Sequence, residues 1–185
     1  MRYFLFIIGI AWLVGCAKTT PVVLLPSPDE YDVYTAVVDS VYYARNLVVI
    51  DDSTRILKDL LLDHSSSDLG RETSARDDLA SKDSVRLALS IGSFKVNKPI
   101  LLLNSGKLEF SAARGNIKWT GVHRDWDGHF MSFSRVGFSS KHDQAVLRAW
   151  DVWIPRGGHE RGSMSWWITL EKNRGRWVIR NMTVS

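Results

Sequence analysis

Cysteine is almost absent from this chain, because Cys16 is the single one among 185 residues. An internal disulfide and a zinc or iron–sulfur site built from several cysteines are therefore excluded. The sequence also lacks the patterns of P-loops, zinc proteases (H-E-x-x-H) and serine hydrolases (G-x-S-x-G). With 45% hydrophobic and 24% charged residues, the composition is that of a folded protein. We expect no cofactor, and the missing catalytic patterns favour a protein that is not an enzyme.

The hydrophobic segment at the N-terminus is too short for a permanent membrane span. Tyr3–Val14 contains twelve residues, which make about 18 Å of helix against ~30 Å of hydrocarbon. Behind the positive charge of Arg2, such a segment is typical of a signal peptide. We predict a signal peptide over 1–15, followed over 16–27 by a proline-containing tether.

The sequence Leu13-Val14-Gly15-Cys16 follows directly and resembles the lipobox of bacterial lipoproteins. The resemblance implies that Cys16 carries acyl chains such as palmitate, which anchor the chain to a membrane of the cell envelope. Ala17 rather than Asp follows, and the family's sorting rule then implies the outer membrane, facing the periplasm, in a Gram-negative host. The expected partners are the membrane and an envelope protein or polymer, and nucleic acid is not expected there.

The domain is predicted to begin with a helix. Ser27 is followed by Pro28 at the first helical position and by Glu30 at the third, which is the pattern of a capping box. Apolar residues then recur at helical spacing and predict a helix over about 28–44. The apolar run 47–50 predicts a buried strand.

The following segment carries weaker signals. Thr54 is the predicted cap of a second helix, and Val85–Ile91 is predicted to form a third. Between them, residues 63–84 are mostly small or polar, which predicts a surface loop or a poorly packed helical insert.

The second half of the chain is rich in strand signals, and its first two and last two strands are predicted hairpins. The predicted strands cover residues 100–103, 108–110, 130–138, 144–153, 164–171 and 176–184. We therefore predict an α+β fold, with one domain over 28–185 in which N-terminal helices pack on an antiparallel sheet of four to six strands.

Three short motifs in the second half resemble a group of uncharacterised bacterial proteins that are often predicted lipoproteins. They are Phe133–Phe138 (FSRVGF), Leu170–Lys172 (LEK) and Gly175–Trp177 (GRW), in that order. The resemblance implies paired strands and no particular activity. Within the first motif, Gly137 predicts a bulge or the close approach of another backbone.

Two histidines and two aspartates occur within the segment 123–129. Such side chains can bind a metal or transfer protons, but a turn between strands has the same composition. We favour the turn and keep an envelope hydrolase as the alternative. Its candidate residues are His123, Asp125, Asp127 and His129.

Charge and tryptophan content distinguish the second half. Residues 17–94 contain 8 basic and 13 acidic residues, whereas residues 95–185 contain 15 and 7. This split predicts either two lobes or two halves of one domain that attract each other. Tryptophan and arginine are enriched at binding hot spots, so we predict a non-catalytic binding or accessory protein. The candidate binding surface comprises Trp153, Arg156, His159, Arg161 and Trp167.

Overall fold

The described part of the chain contains two α-helices and nine strands. The computed structural model describes residues 24–42, 47–57, 73–103, 108–111, 116–119, 128–154 and 163–184. The helices are α1 (Pro28–Val41) and α2 (Thr73–Lys82). The strands are β1 (Val48–Asp51), β2 (Ile100–Leu103), β3 (Leu108–Ser111), β4 (Asn116–Trp119), β5 (Gly128–Phe133), β6 (Gly137–Phe138), β7 (Gln144–Ile154), β8 (Ser163–Asn173) and β9 (Arg176–Val184).

Seven of these strands form one mixed sheet, in the order β2-β1-β5-β7-β8-β9 with β6 also paired to β7. β1 runs parallel to β2 and β5, and the other pairs are antiparallel. β3 and β4 form a separate two-stranded antiparallel sheet. The α+β class predicted from the sequence is confirmed.

The sheet differs from the predicted one, because it has seven strands and mixed directions instead of four to six antiparallel strands. Parallel strands are buried on both faces and therefore contain continuous apolar runs. Residues 48–50 are such a run in β1, every residue of which is buried. The apolar run 100–103 lies in the edge strand β2, where Leu101 is 40% exposed. The predicted hairpin of 100–103 with 108–110 is wrong, since β2 and β3 belong to different sheets.

The start of α1 follows the sequence-based prediction. The Glu30 backbone amide donates to Ser27 Oγ at 3.2 Å, and the Ser27 backbone amide donates to Glu30 Oε2 at 2.9 Å. This reciprocal pair is the predicted capping box, with Pro28 at the first helical position. The buried face of the helix lies against the sheet, where the Tyr34 ring stacks on Phe133 with centroids 4.8 Å apart.

The Glu30 carboxylate is buried and joins α1 to the link between β5 and β6. It accepts from Arg135 Nε at 2.8 Å, from Arg135 Nη2 at 3.3 Å and from the Val136 amide at 3.2 Å. Burial by itself raises the pKa of Glu30, but the hydrogen bonds from Arg135, Ser27 and Val136 outweigh burial and hold that pKa below its usual value. The carboxylate is therefore charged at neutral pH.

Further ion pairs connect the acidic first half to the basic second half. Lys95 Nζ lies 2.6 Å from Asp32 Oδ1, and Lys98 Nζ lies 3.9 Å from Asp39 Oδ1. Both aspartates belong to α1, so these two ion pairs join residues of the acidic first half to residues of the basic second half.

Alternation along β7 separates two apolar clusters on opposite faces of the sheet. Ala145 and Leu147 belong to the cluster that contains α1, whereas Val146 belongs to the cluster that contains Leu79 of α2. We call these sides the α1 face and the α2 face. Successive side chains of a strand point to opposite faces, so the register of the strands assigns each residue to one of them.

The hairpin of β8 and β9 is confirmed, and its turn residues Arg174 and Gly175 have positive φ angles of 49° and 81°. A bulge makes Arg180 an extra residue in β9. The extra residue shifts by one position the alternation of β9 side chains between the two faces. Met182 and Val184 therefore lie on the α1 face with their β8 partners Ile168 and Trp166.

Helix α2 lies in the second part of the polar segment 63–84, of which residues 63–72 are outside the described ranges. It rests directly on Gly137 of β6, where an added Cβ would lie 1.9 Å from the Ala75 carbonyl oxygen. Asp78 Oδ2 accepts from the Phe138 amide at 2.8 Å. The close backbone approach predicted for Gly137 is therefore confirmed.

The prediction of a helix over Val85–Ile91 is wrong. The segment is extended up to a 3₁₀ turn at Ile91–Ser93, and the Leu89 amide donates to the Asp52 carbonyl at 2.7 Å. Thr54 does not cap a helix, because its Oγ1 accepts from the Leu87 amide at 2.9 Å. The alternation of apolar and other residues at 85–90 favours this extended segment, which forms an isolated bridge between Ala88 and Ser53.

Replacing Gly137 by Ala should destabilise the protein by about 1–3 kcal/mol, because the new methyl group overlaps α2. Its Cβ would also lie 2.6 Å from Leu79 Cβ. The matched control is Gly92→Ala, where an added Cβ meets nothing within 4 Å. Urea unfolding measures the stability of both variants. Equal midpoints for the two would contradict the close packing of α2 on Gly137.

Glu30→Gln should cost about 3–5 kcal/mol at neutral pH, because it leaves the largely buried Arg135 without its counter-ion. Since the folded pKa of Glu30 is depressed, its contribution is fully present above the unfolded pKa and is lost as pH falls through the folded pKa. The stability difference between wild type and Glu30→Gln should therefore shrink in acid. Asp32→Asn, in an exposed pair with Lys95, is the control and should cost less than about 1 kcal/mol. If the stability difference between wild type and Glu30→Gln stays constant down to the lowest pH at which the wild type folds, the depressed pKa of Glu30 would be refuted.

Candidate functional site

The candidate surface predicted from the sequence is divided by the sheet. Trp167 lies opposite Arg148 on the α2 face. Trp153 comes five residues after Arg148 in β7, and it is paired with His129 on the α1 face. The other three members of that surface, Arg156, His159 and Arg161, lie outside the described residues. The two tryptophans therefore do not share one binding surface.

Of the histidine and aspartate segment 123–129, His129 is described, and it lies in β5. His123, Asp125 and Asp127 fall outside the described ranges, and so does the turn favoured for them. His129 Nδ1 lies 2.6 Å from Asp151 Oδ2 of β7. Asp151 was not predicted, because the two residues are far apart in sequence and become diagonal neighbours through the register of β5 and β7.

His129 and Asp151 form a histidine–carboxylate pair between β5 and β7. When Asp151 is ionised, its carboxylate can only accept, and the shared proton is then on His129 Nδ1. The Tyr42 ring packs beside the imidazole with centroids 5.9 Å apart. Asp151 Oδ1 is buried and has no hydrogen-bond partner among the residues that the structure describes.

A second polar cluster occupies the α2 face. The guanidinium carbon of Arg148 lies 5.3 Å from the ring centroid of Trp150 and 5.5 Å from that of Trp167. Arg55 stands 6.0 Å from Trp150. We call these four residues the arginine–tryptophan ladder. Each contact has cation–π geometry, which fixes the orientation of both indole rings.

Hydrogen-bonding groups surround the ladder. Arg148 is buried and donates from Nη2 to Ser165 Oγ at 2.9 Å. Arg55 Nε lies 3.6 Å from Asp51 Oδ2. The Ser132 hydroxyl, paired across β5–β7 with Trp150, is buried and has no hydrogen-bond partner within the described part of the chain. Oriented indole faces beside polar groups are suited to stacking against a flat or sugar-like ligand.

Metal binding has no support within the described ranges, which contain no group of three or more histidine, cysteine, aspartate or glutamate side chains that could hold an ion. Three of the four residues in the metal alternative lie outside those ranges. His129, the fourth, is in contact with Asp151 and Tyr42.

Comparisons with protein-family models, with curated proteins and with solved structures give no match for this chain. Within the described ranges, no helix is long and apolar enough to cross a membrane.

Proposed function

We propose that the protein is a lipid-anchored component of the cell envelope whose α+β domain binds a partner without catalysis. The observation that carries the proposal is the sequence Leu13-Val14-Gly15-Cys16 behind an apolar segment of signal-peptide length. Acyl chains on Cys16 stabilise membrane attachment by ~0.8 kcal/mol per buried CH₂ group, and two or more chains make it lasting. With Ala17 as the next residue, the proposed location in a Gram-negative host is the outer membrane, facing the periplasm.

Cys16→Ala should abolish both lipidation and membrane attachment, because no other cysteine is available to accept the lipid. Intact mass and cell fractionation measure the two effects. Ala17→Asp is the matched control, which should keep the lipid mass and change the membrane to which the protein is sorted. Wild-type protein with a free thiol and no added mass would refute the anchor.

For the binding surface, we propose the arginine–tryptophan ladder, which contains Trp167 of the candidate surface. Cation–π contacts hold its indoles in place before a partner arrives, so less side-chain entropy is lost on binding. Trp150 and Trp167 are both half-buried and thus retain accessible surface. A protein or an anionic polymer of the envelope fits this combination of aromatic rings and positive charge.

Trp167→Ala should weaken retention of the protein on isolated envelope material by about 2 kcal/mol or more, roughly 30-fold, if the ladder is a hot spot. Trp153→Ala removes the same side chain from the opposite face and should leave retention unchanged. A co-sedimentation assay compares them. Loss of retention in Trp153→Ala alone would place the partner on the α1 face and refute the ladder.

A second candidate function, an envelope hydrolase, is supported by the His129–Asp151 pair. With Asp151 on Nδ1 at 2.6 Å, His129 has the arrangement of a general base that activates water. The alternative also includes the residues that precede His129 in the sequence, namely His123, Asp125 and Asp127. Hydrolysis that persists after His129→Ala would contradict it.

A further inference from the structure

The start of α1 and two strand connections lie side by side at one end of the domain. Asp29, in the first turn of α1, has its Oδ2 atom 4.0 Å from His142 Nδ1 in the β6–β7 loop. The Lys172 backbone amide, near the end of β8, donates to the Asp143 carbonyl of the same loop at 2.8 Å. We call the first turn of α1, the loop 139–143 and the turn 172–176 together the basic end.

Positive charge is concentrated at the basic end. The exposed carboxylates there are Asp29 and Asp143, and Asp143 Oδ1 accepts from the Ser139 hydroxyl at 2.7 Å. The neighbouring Glu171 is paired with Arg180. Among the described residues of this end, exposed cations outnumber the exposed carboxylates. These cations are Lys141, Lys172, Arg174 and Arg176.

The β8–β9 turn combines this charge with an apolar side chain. Arg174 and Arg176 line an open groove together with Asn173 and Val178. Val178 is 47% exposed. Two guanidinium groups beside one groove are suited to a phosphate, because the planar donor pair of arginine matches two phosphate oxygens.

The chain that leads to the proposed lipid anchor joins the domain next to the basic end. Leu24 and Leu25 precede the Ser27 cap of α1, and each is 53% exposed. The Leu24 carbonyl accepts from the Ala88 amide at 3.1 Å. Leu24 comes eight residues after Cys16, and eight residues span at most about 26–29 Å. Acyl chains on Cys16 would therefore hold this end of the domain close to the lipid surface.

We propose that the basic end docks on an anionic phospholipid bilayer, with Leu24 and Leu25 in the interfacial region and the cations of the turn at the headgroup phosphates. The proposal rests on the proposed lipid anchor and names the surface through which the domain contacts its membrane. Exposed apolar side chains beside lysine and arginine are the combination by which protein surfaces bind anionic lipids.

The anchor makes docking through so small a surface effective. Each lysine or arginine close to an anionic membrane strengthens attachment about fivefold. A few such cations attract a free protein only weakly. A short tether converts docking into an intramolecular step and so raises the effective concentration of lipid at the basic end.

The test places a fluorescent probe at Leu25 of the full-length, lipidated protein in vesicles. With Cys16 acylated, Leu25→Cys provides the one free thiol for a nitrobenzoxadiazole dye. Nitroxide-labelled lipids should quench this dye in vesicles of phosphatidylcholine with phosphatidylglycerol, and less in phosphatidylcholine alone. High salt should reduce the quenching, because the cations are exposed. Ser163→Cys, exposed at the other end of β8, is the control probe and should stay unquenched.

Charge variants of the Leu25→Cys protein identify the docking surface. Arg174→Asn and Arg176→Gln should each lower the ratio of docked to free domains about fivefold. Asparagine tolerates the positive φ angle of position 174. Arg180→Gln removes an equal charge that is paired with Glu171, and it should change the ratio little. An equal effect of all three variants would rule out the basic end as the docking surface.

The remaining outcomes separate docking from the anchor. An unquenched dye on protein whose intact mass includes the acyl chains would overturn docking and leave the anchor standing. Protein without acyl chains would overturn both. If Arg174→Asn and Arg176→Gln keep docking on vesicles but lose retention on isolated envelope material, the basic end binds an envelope polymer and the bilayer proposal is wrong.

Discussion

The rest of the described structure depends on the buried pair of Glu30 and Arg135. One carboxylate caps the first turn of α1, holds a guanidinium and accepts from the Val136 amide. It thereby fixes the helix to the point where β5 passes into β6. Tyr34, one turn further along α1, donates from its hydroxyl to the Ser134 carbonyl at 2.8 Å and repeats the attachment. An ionised group in the interior is tolerated here because the guanidinium of Arg135 and two backbone amides compensate its charge.

With α1 fixed on one face and α2 on the other, β7 becomes the strand that both clusters share. Its alternation sends Asp151 and Trp153 to the α1 face and Arg148 and Trp150 to the α2 face. Two polar sites of different chemistry therefore lie back to back on the same strands. One contains the His129–Asp151 pair beside apolar side chains, and the other contains two indole rings beside two guanidinium groups.

Local signals in the sequence predicted the local parts of this arrangement. The capping box at Ser27, the β8–β9 turn and the close approach at Gly137 each depend on a few adjacent residues, and each is confirmed. The parallel pairing of β1 with β2 and β5 was missed, since it joins segments that are distant in the chain. The site was missed for the same reason. His129 was singled out by its neighbours in sequence, whereas its actual partner, Asp151, is supplied by strand register alone.

The bulge at Arg180 also has a consequence for association. β9 lies at the end of the strand order and is nine residues long, and a regular edge strand of that length can recruit a strand from another molecule. An inserted residue breaks the even spacing of backbone donors and acceptors that such recruitment requires. Arg180 adds a charge at the same point, paired with Glu171. A strand edge interrupted in this way is a poor template for another strand, so the bulge opposes the growth of this edge into an extended intermolecular sheet.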